Sequence, residues 1–370
     1  MNNHLSKFLL TIVAVVLCGT DSTFAQASTC NQVLTPGCLY LPSNKFAFQT
    51  TTSQTTYTDN AGTLRTVKFA IRKPAGAPAP MPVVIWSHGG AGGKTDPLNS
   101  IVEWSETTAE AGYLTISIAH TPRSNQERKQ LCQSLDINNP STCEVFKYLN
   151  WDRPFDIRAV IDVLEQMNQQ GTFRGQIGLN HIAVGGHSSG SSGALTVGGA
   201  LRNFTGTPVD LSDPRPVAFL AFSPQQPGGE GFFDTDFQKP AHSWMRIERP
   251  VLIGTGDGDN TCNRGEEPGS CYGDHPYGRR IGFERMPPGN KYRLYIHDTD
   301  TFHTLFELNS NKCQTLGVNQ QKCDEIARWL RSVGLAFLDN HVRQNVFARQ
   351  WLQSNNIETA SRGIAEWSRK

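Results

Sequence analysis

The chain has almost no net charge, no repeat, no low-complexity block and no pair of cysteines at zinc-ligand spacing. Its 34 Lys and Arg stand against 33 Asp and Glu, a formal charge of +1. Such a balance creates no field to gather nucleic acid or anionic lipid, and neither is expected as a partner. After the first thirty residues nothing is apolar enough over a long enough run to cross a bilayer, so no stable membrane span is expected. With 18% charged and 38% hydrophobic residues, a disordered or collagen-like chain is excluded. No break in composition marks a second domain, so residues 28–370 are read as a single domain.

The start of the chain is distinct. Met1 to Lys7 is polar with one Lys, Phe8 to Leu17 is apolar, and Phe24-Ala25-Gln26-Ala27 places small residues two apart. This order reads as a secretory signal peptide over 1–27, cut after Ala27, and implies a secreted or periplasmic protein. The apolar run is too short for a permanent anchor. A lipoprotein would use Cys18, but Leu17 stands where a small residue is expected.

Removal of Cys18 turns nine cysteines into eight, at Cys30/Cys38, Cys132/Cys143, Cys262/Cys271 and Cys313/Cys323. In an exported chain these close doublets read as four local disulfides, a pairing that rests on proximity. The zinc-pair spacing C-x2–4-C is missing, so no metal is expected, and no cofactor motif is present.

Short continuous apolar runs at Pro82–Trp86, Tyr113–Ala119, His181–Gly185, Val217–Phe222, Val251–Ile253 and Tyr292–Ile296 suit strands buried on both faces. Arg65–Arg72 is strand-like, whereas polar Ser28–Thr58 is assigned no element. Helices are predicted over Asp152–Gln169, with Asp152 as cap and Pro154 in the first turn, over Gly193–Leu201, and over about Asp324–Leu352. The alternation predicts an α/β fold, a mostly parallel central sheet with helices on both faces.

Gly186-His187-Ser188-Ser189-Gly190 follows a predicted strand and precedes a helical stretch. G-x-S-x-G is a weak signal alone, but in this setting the turn is sharp enough to lift the central serine above the sheet. Ser188 is the candidate nucleophile, and the Ser189 N–H at the helix start is a candidate oxyanion donor. Ser189, Ser191 and Ser192 fall outside the central position.

A nucleophilic serine needs a histidine base and an acid to orient it, here in the order Ser, acid, His. His303 lies in a loop after the last predicted strand and is preferred to His297, which abuts that strand and is read as structural. His242 and His275 are far from a matching strand end. For the acid, Val251-Leu252-Ile253-Gly254-Thr255-Gly256-Asp257-Gly258-Asp259 offers two aspartates. Asp259 is preferred, with Asp257 as the alternative. A second oxyanion donor is expected from His88-Gly89-Gly90-Ala91-Gly92-Gly93, with Gly90 chosen and His88 read as shaping the loop. Cys262/Cys271 and Cys313/Cys323 would then tie off the loops bearing Asp259 and His303, rigidifying the pair.

These residues resemble the α/β-hydrolase superfamily across nearly all of residues 28–370. Within it the likeness is to bacterial predicted dienelactone hydrolases and platelet-activating-factor acetylhydrolase-like serine esterases. It is carried by Pro82-Val83-Val84-Ile85-Trp86-Ser87-His88-Gly89-Gly90, by Asp152-Arg153-Pro154-Phe155-Asp156-Ile157 and by the serine pentapeptide. Ser223-Pro224-Gln225 and Phe337-Leu338-Asp339 add weaker support, and polyester hydrolases are more distantly similar. The resemblance implies Ser188 as nucleophile, His303 and Asp259 as its partners, and Gly90 with Ser189 as oxyanion donors. It departs from true dienelactone hydrolases, which use a cysteine where this chain has Ser188.

The expected activity is an exported serine esterase working through an acyl-enzyme on a small-molecule, lipid or polymer ester. A lipase-like, phospholipid- or polyester-directed hydrolase is the nearest rival. Pro224–Ile247 carries no long apolar lid, but Phe232, Phe233, Phe237 and Trp244 are candidate pocket walls. A non-catalytic binding protein on the same fold is the reading from another class.

Overall fold

The computed structural model describes residues 28–370 apart from 31, 43, 91, 147, 205–207, 226–242 and 261–277. The predicted leader, Cys262, Cys271, His242, His275, Phe232, Phe233 and Phe237 therefore lie outside the described residues.

Among the described residues nine strands form one sheet. They are β1 (Phe48–Thr58), β2 (Leu64–Pro74), β3 (Met81–Ser87), β4 (Leu114–Ala119), β5 (Ile177–His187), β6 (Ala218–Phe222), β7 (Val251–Gly256), β8 (Lys291–Ile296) and β9 (Ala365–Arg369). Their order across the sheet is β1-β2-β4-β3-β5-β6-β7-β8-β9. The run from β4 to β8 is parallel, and β1, β2 and β9 are attached antiparallel. The helices that pack on the sheet are α1 (Val102–Glu110), α2 (Tyr148–Gln169), α3 (Ser189–Val197), α4 (Gln320–His341) and α5 (Val346–Gln353).

Burial explains the central strands. β4 (LTISIA) and β6 (AFLAF) are buried along their whole length, as the interior of a two-sided sheet demands. Alternate residues serve opposite faces. On one face Trp86, Phe222 and Leu252 meet Trp104 of α1 and Leu330, Val333 and Phe337 of α4. On the other, Ile85, Phe219 and Ile253 meet Ile157 and Ile161 of α2 and Leu195 of α3. The result is a mixed α/β architecture with helices on both faces of a mostly parallel sheet.

Three local expectations change, and one stretch to which the sequence assigns no element gains one. The Thr-rich end of Ser28–Thr58 forms β1, an edge strand whose exposed polar side chains give no apolar alternation to detect. The long helix begins at Tyr148, a turn before Asp152, because Leu149 and Trp151 are also buried; Pro154 falls inside it. Asp152 is therefore no cap, and Arg123 grips both its oxygens at 2.9 and 2.7 Å. The helical stretch placed over Gly193–Leu201 instead spans α3, whose start is set by the turn at Ser188. The last helix splits into α4 and α5, since Gln344 takes φ 58° and Asn345 caps α5 by accepting from Ala348 N–H.

Cys30–Cys38, Cys132–Cys143 and Cys313–Cys323 are bridged. Among the described residues no helix is long and apolar enough to cross a membrane.

Candidate active site

β3, β5, β7 and β8 run parallel, so the loops leaving their carboxyl ends gather along one edge of the sheet. Gly89, Ser188, Asp259 and His303 all belong to those loops.

Ser188 occupies the single residue between β5 and α3 at φ 53° and ψ −123°, a strained setting for a residue with a side chain. Its N–H donates to the Phe222 carbonyl at 2.9 Å, which pins the turn to β6. The turn closes only because its flanks lack side chains. A Cβ on Gly186 would stand 2.3 Å from the Gly190 carbonyl carbon, and one on Gly190 would stand 2.0 Å from the Ser87 carbonyl oxygen. The neighbouring serines are engaged. Ser191 Oγ donates to the Ser188 carbonyl at 2.5 Å, Ser192 Oγ donates to Gln225, and Ser189 Oγ accepts from the Gln225 amide. Among the described residues the Ser188 hydroxyl has no such partner, and neither has the Ser189 N–H.

Asp259 is fully buried in the turn after β7. Its Oδ1 accepts from His303 Nδ1 at 2.8 Å and from Ser223 Oγ at 2.6 Å, and its Oδ2 accepts from Thr255 Oγ1 at 2.7 Å. Burial pushes the carboxyl up, but the Arg279 guanidinium 3.4 Å away and the donors from His303 and Ser223 outweigh it, holding the group below the ordinary aspartate value. Asp259 is thus an anion facing the imidazole. His303 is held below the usual histidine value, by burial first and then by His187, with Asp259 opposing. Asp257 sits elsewhere. It accepts from Tyr295 OH at 2.6 Å and lies 3.7 Å from His297, while His303 Nδ1 is bonded to Asp259. His297 is exposed and paired with Glu366.

His187, the first of the two variable residues of the pentapeptide, joins the serine turn to the histidine loop. Its Nε2 lies 2.9 Å from the His303 carbonyl, its Nδ1 2.9 Å from Glu307, and its ring centroid 4.4 Å from that of His303. Ser188 Oγ and His303 are not hydrogen-bonded to each other here, a contact that catalytic pairs often complete only with substrate present.

The loop after β3 lies against the serine, since a Cβ on Gly89 would come within 3.1 Å of Ser188 Cβ. Gly90 takes φ 91° and its carbonyl accepts from Arg153 Nη2 at 2.8 Å. His88 is buried, and burial with His120 and Arg153 nearby drives its value down to about 2, so the ring is neutral. It bonds the Gly89 carbonyl at 2.7 Å through Nδ1 and accepts from His120 N–H through Nε2.

Beneath the loop is a group that sequence reading missed. Ser87 Oγ lies 2.7 Å from His120 Nε2, and His120 Nδ1 lies 2.9 Å from Asp156 Oδ2, with all three side chains at 0% exposure. This is the bonding order of a nucleophile, base and acid, but it is sealed from solvent and serves to hold the loop. In the sequence Ser223 stands out only within the weak motif Ser223-Pro224-Gln225, and nothing local marks Glu307. Their roles depend on contacts between segments 36 to 120 residues apart, which no local spacing reveals.

Among the described residues no cluster of three His, Cys, Asp or Glu side chains is arranged to hold a metal. The chain matches no protein-family model and no curated protein.

Proposed function

We propose that the protein is an exported serine hydrolase of carboxylic esters, built on an α/β-hydrolase fold, with Ser188 as nucleophile, His303 as base and Asp259 as the acid that orients it. The observation that carries this reading is the join of three features at one sheet edge: a strained serine at a strand-to-helix turn, a buried ionised aspartate bonded to a histidine, and a glycine loop against the serine.

The chemistry follows from the proton positions. Asp259, ionised, only accepts hydrogen bonds, so His303 carries its proton on Nδ1 and presents an unprotonated Nε2. That nitrogen takes the Ser188 proton as Oγ attacks the ester carbonyl. Negative charge then develops on the carbonyl oxygen beside the Ser189 N–H and the backbone of the Gly89–Gly90 turn, donors worth a few kcal/mol each in such sites. His303 returns the proton to the departing alcohol. Water, deprotonated by the same nitrogen, releases the acid and restores Ser188.

A panel of p-nitrophenyl esters of increasing acyl length tests the reading. The residue 28–370 protein should hydrolyse short or medium chains, and Ser188→Ala should lose the activity. A rate peak at long chains would favour a lipase-like enzyme, and no turnover of any ester would favour the binding-protein alternative.

A further inference from the structure

We infer that Ser223 is a positioning residue, a fourth side chain that fixes the His303 imidazole by bonding both His303 and Asp259; the inference rests on the serine-hydrolase reading above.

Ser223 is the first residue after β6, the strand between those that lead to Ser188 and Asp259. It is fully buried, so it is not itself a nucleophile toward a solvent-borne ester. Its backbone is held in an uncommon conformation, φ 50°, by its own N–H bond to the Gly254 carbonyl at 2.7 Å and by Arg279 donating to its carbonyl at 3.1 Å. That conformation aims the hydroxyl into the acid–base pair. Oγ lies 2.6 Å from Asp259 Oδ1 and 2.5 Å from His303 Nδ1.

A hydroxyl carries one proton, and an ionised carboxylate can only accept. The Ser223 proton must therefore point to Asp259, and toward His303 the same oxygen must accept. Both contacts hold together only when Nδ1 is protonated. Ser223 thus selects the tautomer whose free lone pair is on Nε2, the atom required to face Ser188. It also gives the Nδ1–H two acceptors at an angle to each other, where Asp259 alone would leave the ring free to swing about one bond. Thr255 shows the contrast, because its hydroxyl holds Asp259 Oδ2 and does not reach the imidazole.

The test compares Ser223→Ala and Ser223→Gly with wild type. Both remove the hydroxyl, and glycine adopts the positive φ without strain, so a backbone effect is separated from a hydroxyl effect. Two quantities are read in protein whose near-UV circular dichroism matches wild type: kcat and KM for a p-nitrophenyl ester, and the downfield proton resonance of His303 Nδ1–H. Both variants should lower kcat by about 10- to 100-fold with KM nearly unchanged, as expected for losing one hydrogen bond to a charged pair. In both, the resonance should shift and exchange faster with water. Unchanged kcat and an unchanged resonance in either folded variant would overturn the inference. If wild type hydrolyses no ester, the serine-hydrolase reading fails instead. The resonance comparison still decides the positioning role, since an unmoved signal overturns it without any turnover.

Discussion

His187 Nε2 lies 2.9 Å from the backbone carbonyl of His303, so the residue preceding the candidate nucleophile holds the chain segment of the candidate base. Glu307 completes this clamp from the histidine side at 2.9 Å. The end of β5 and a loop 116 residues further along the chain are thereby tied through one imidazole ring.

The clamp has a stability signature. Burial raises the Glu307 carboxyl, but bonding to His187 and the charges of His187 and Lys94 overcome that and bring it to about 2, below its ordinary value of 4.5. A depressed carboxyl contributes stability that is present above the unfolded value and lost as pH falls through the folded one. Glu307→Gln should therefore lower unfolding free energy by on the order of 2 kcal/mol at pH 7. The gap to wild type should close between pH 4.5 and about 2, as read by denaturant titrations across that range.

The same contact bears on the pH dependence expected of the proposed base. In the proposed mechanism His303 acts while neutral, so activity should fall on the acid side as it becomes protonated. Burial and His187 hold its value below the ordinary 6.5, which places the acid limb of kcat/KM below that pH. His187→Gln keeps a donor for the His303 carbonyl and removes the neighbouring imidazole. The acid limb should then move to higher pH, and a limb that stays in place or moves lower would contradict the assignment.

The two aspartates after β7 should separate sharply. Asp259→Asn leaves the shape but exchanges an acceptor for a donor, which disfavours the Nδ1–H tautomer; kcat should drop by about 10³- to 10⁴-fold. Asp257→Asn disturbs a carboxylate bonded to Tyr295 and near the exposed His297, and should change kcat by less than about threefold. Steady-state kinetics on both variants check this, and a larger loss at Asp257 would reverse the choice.

Cys313–Cys323 joins the segment following the His303 loop to the first turn of α4. Replacing both cysteines with serine should cost about 2–3 kcal/mol of stability. If the bridge also steadies the base, kcat should fall at temperatures where near-UV circular dichroism is still native. Parallel loss of activity and dichroism would assign it to stability alone.

The legible parts of the molecule share one physical cause. Strands such as Val251-Leu252-Ile253 are apolar throughout because both faces are covered, and the serine turn announces itself because its glycines have no room for a Cβ. Edge elements were not legible: β1 shows mostly polar side chains to water, and β9 is only five residues long, with Ala365 and Trp367 buried and its form owed to pairing with β8. The same divide runs through the site. Ser188 and its loop partners stand at strand ends that local patterns mark, whereas Ser223, His187 and Glu307 gain meaning only from distances across the folded chain.

The most direct measurement of the central claim is peptide mapping after treatment with a fluorophosphonate, which reacts with an activated serine. One adduct is expected, on the peptide containing Ser188, absent from Ser188→Ala and formed much more slowly by His303→Ala. An adduct on another serine, or equal labelling of wild type and Ser188→Ala, would contradict it.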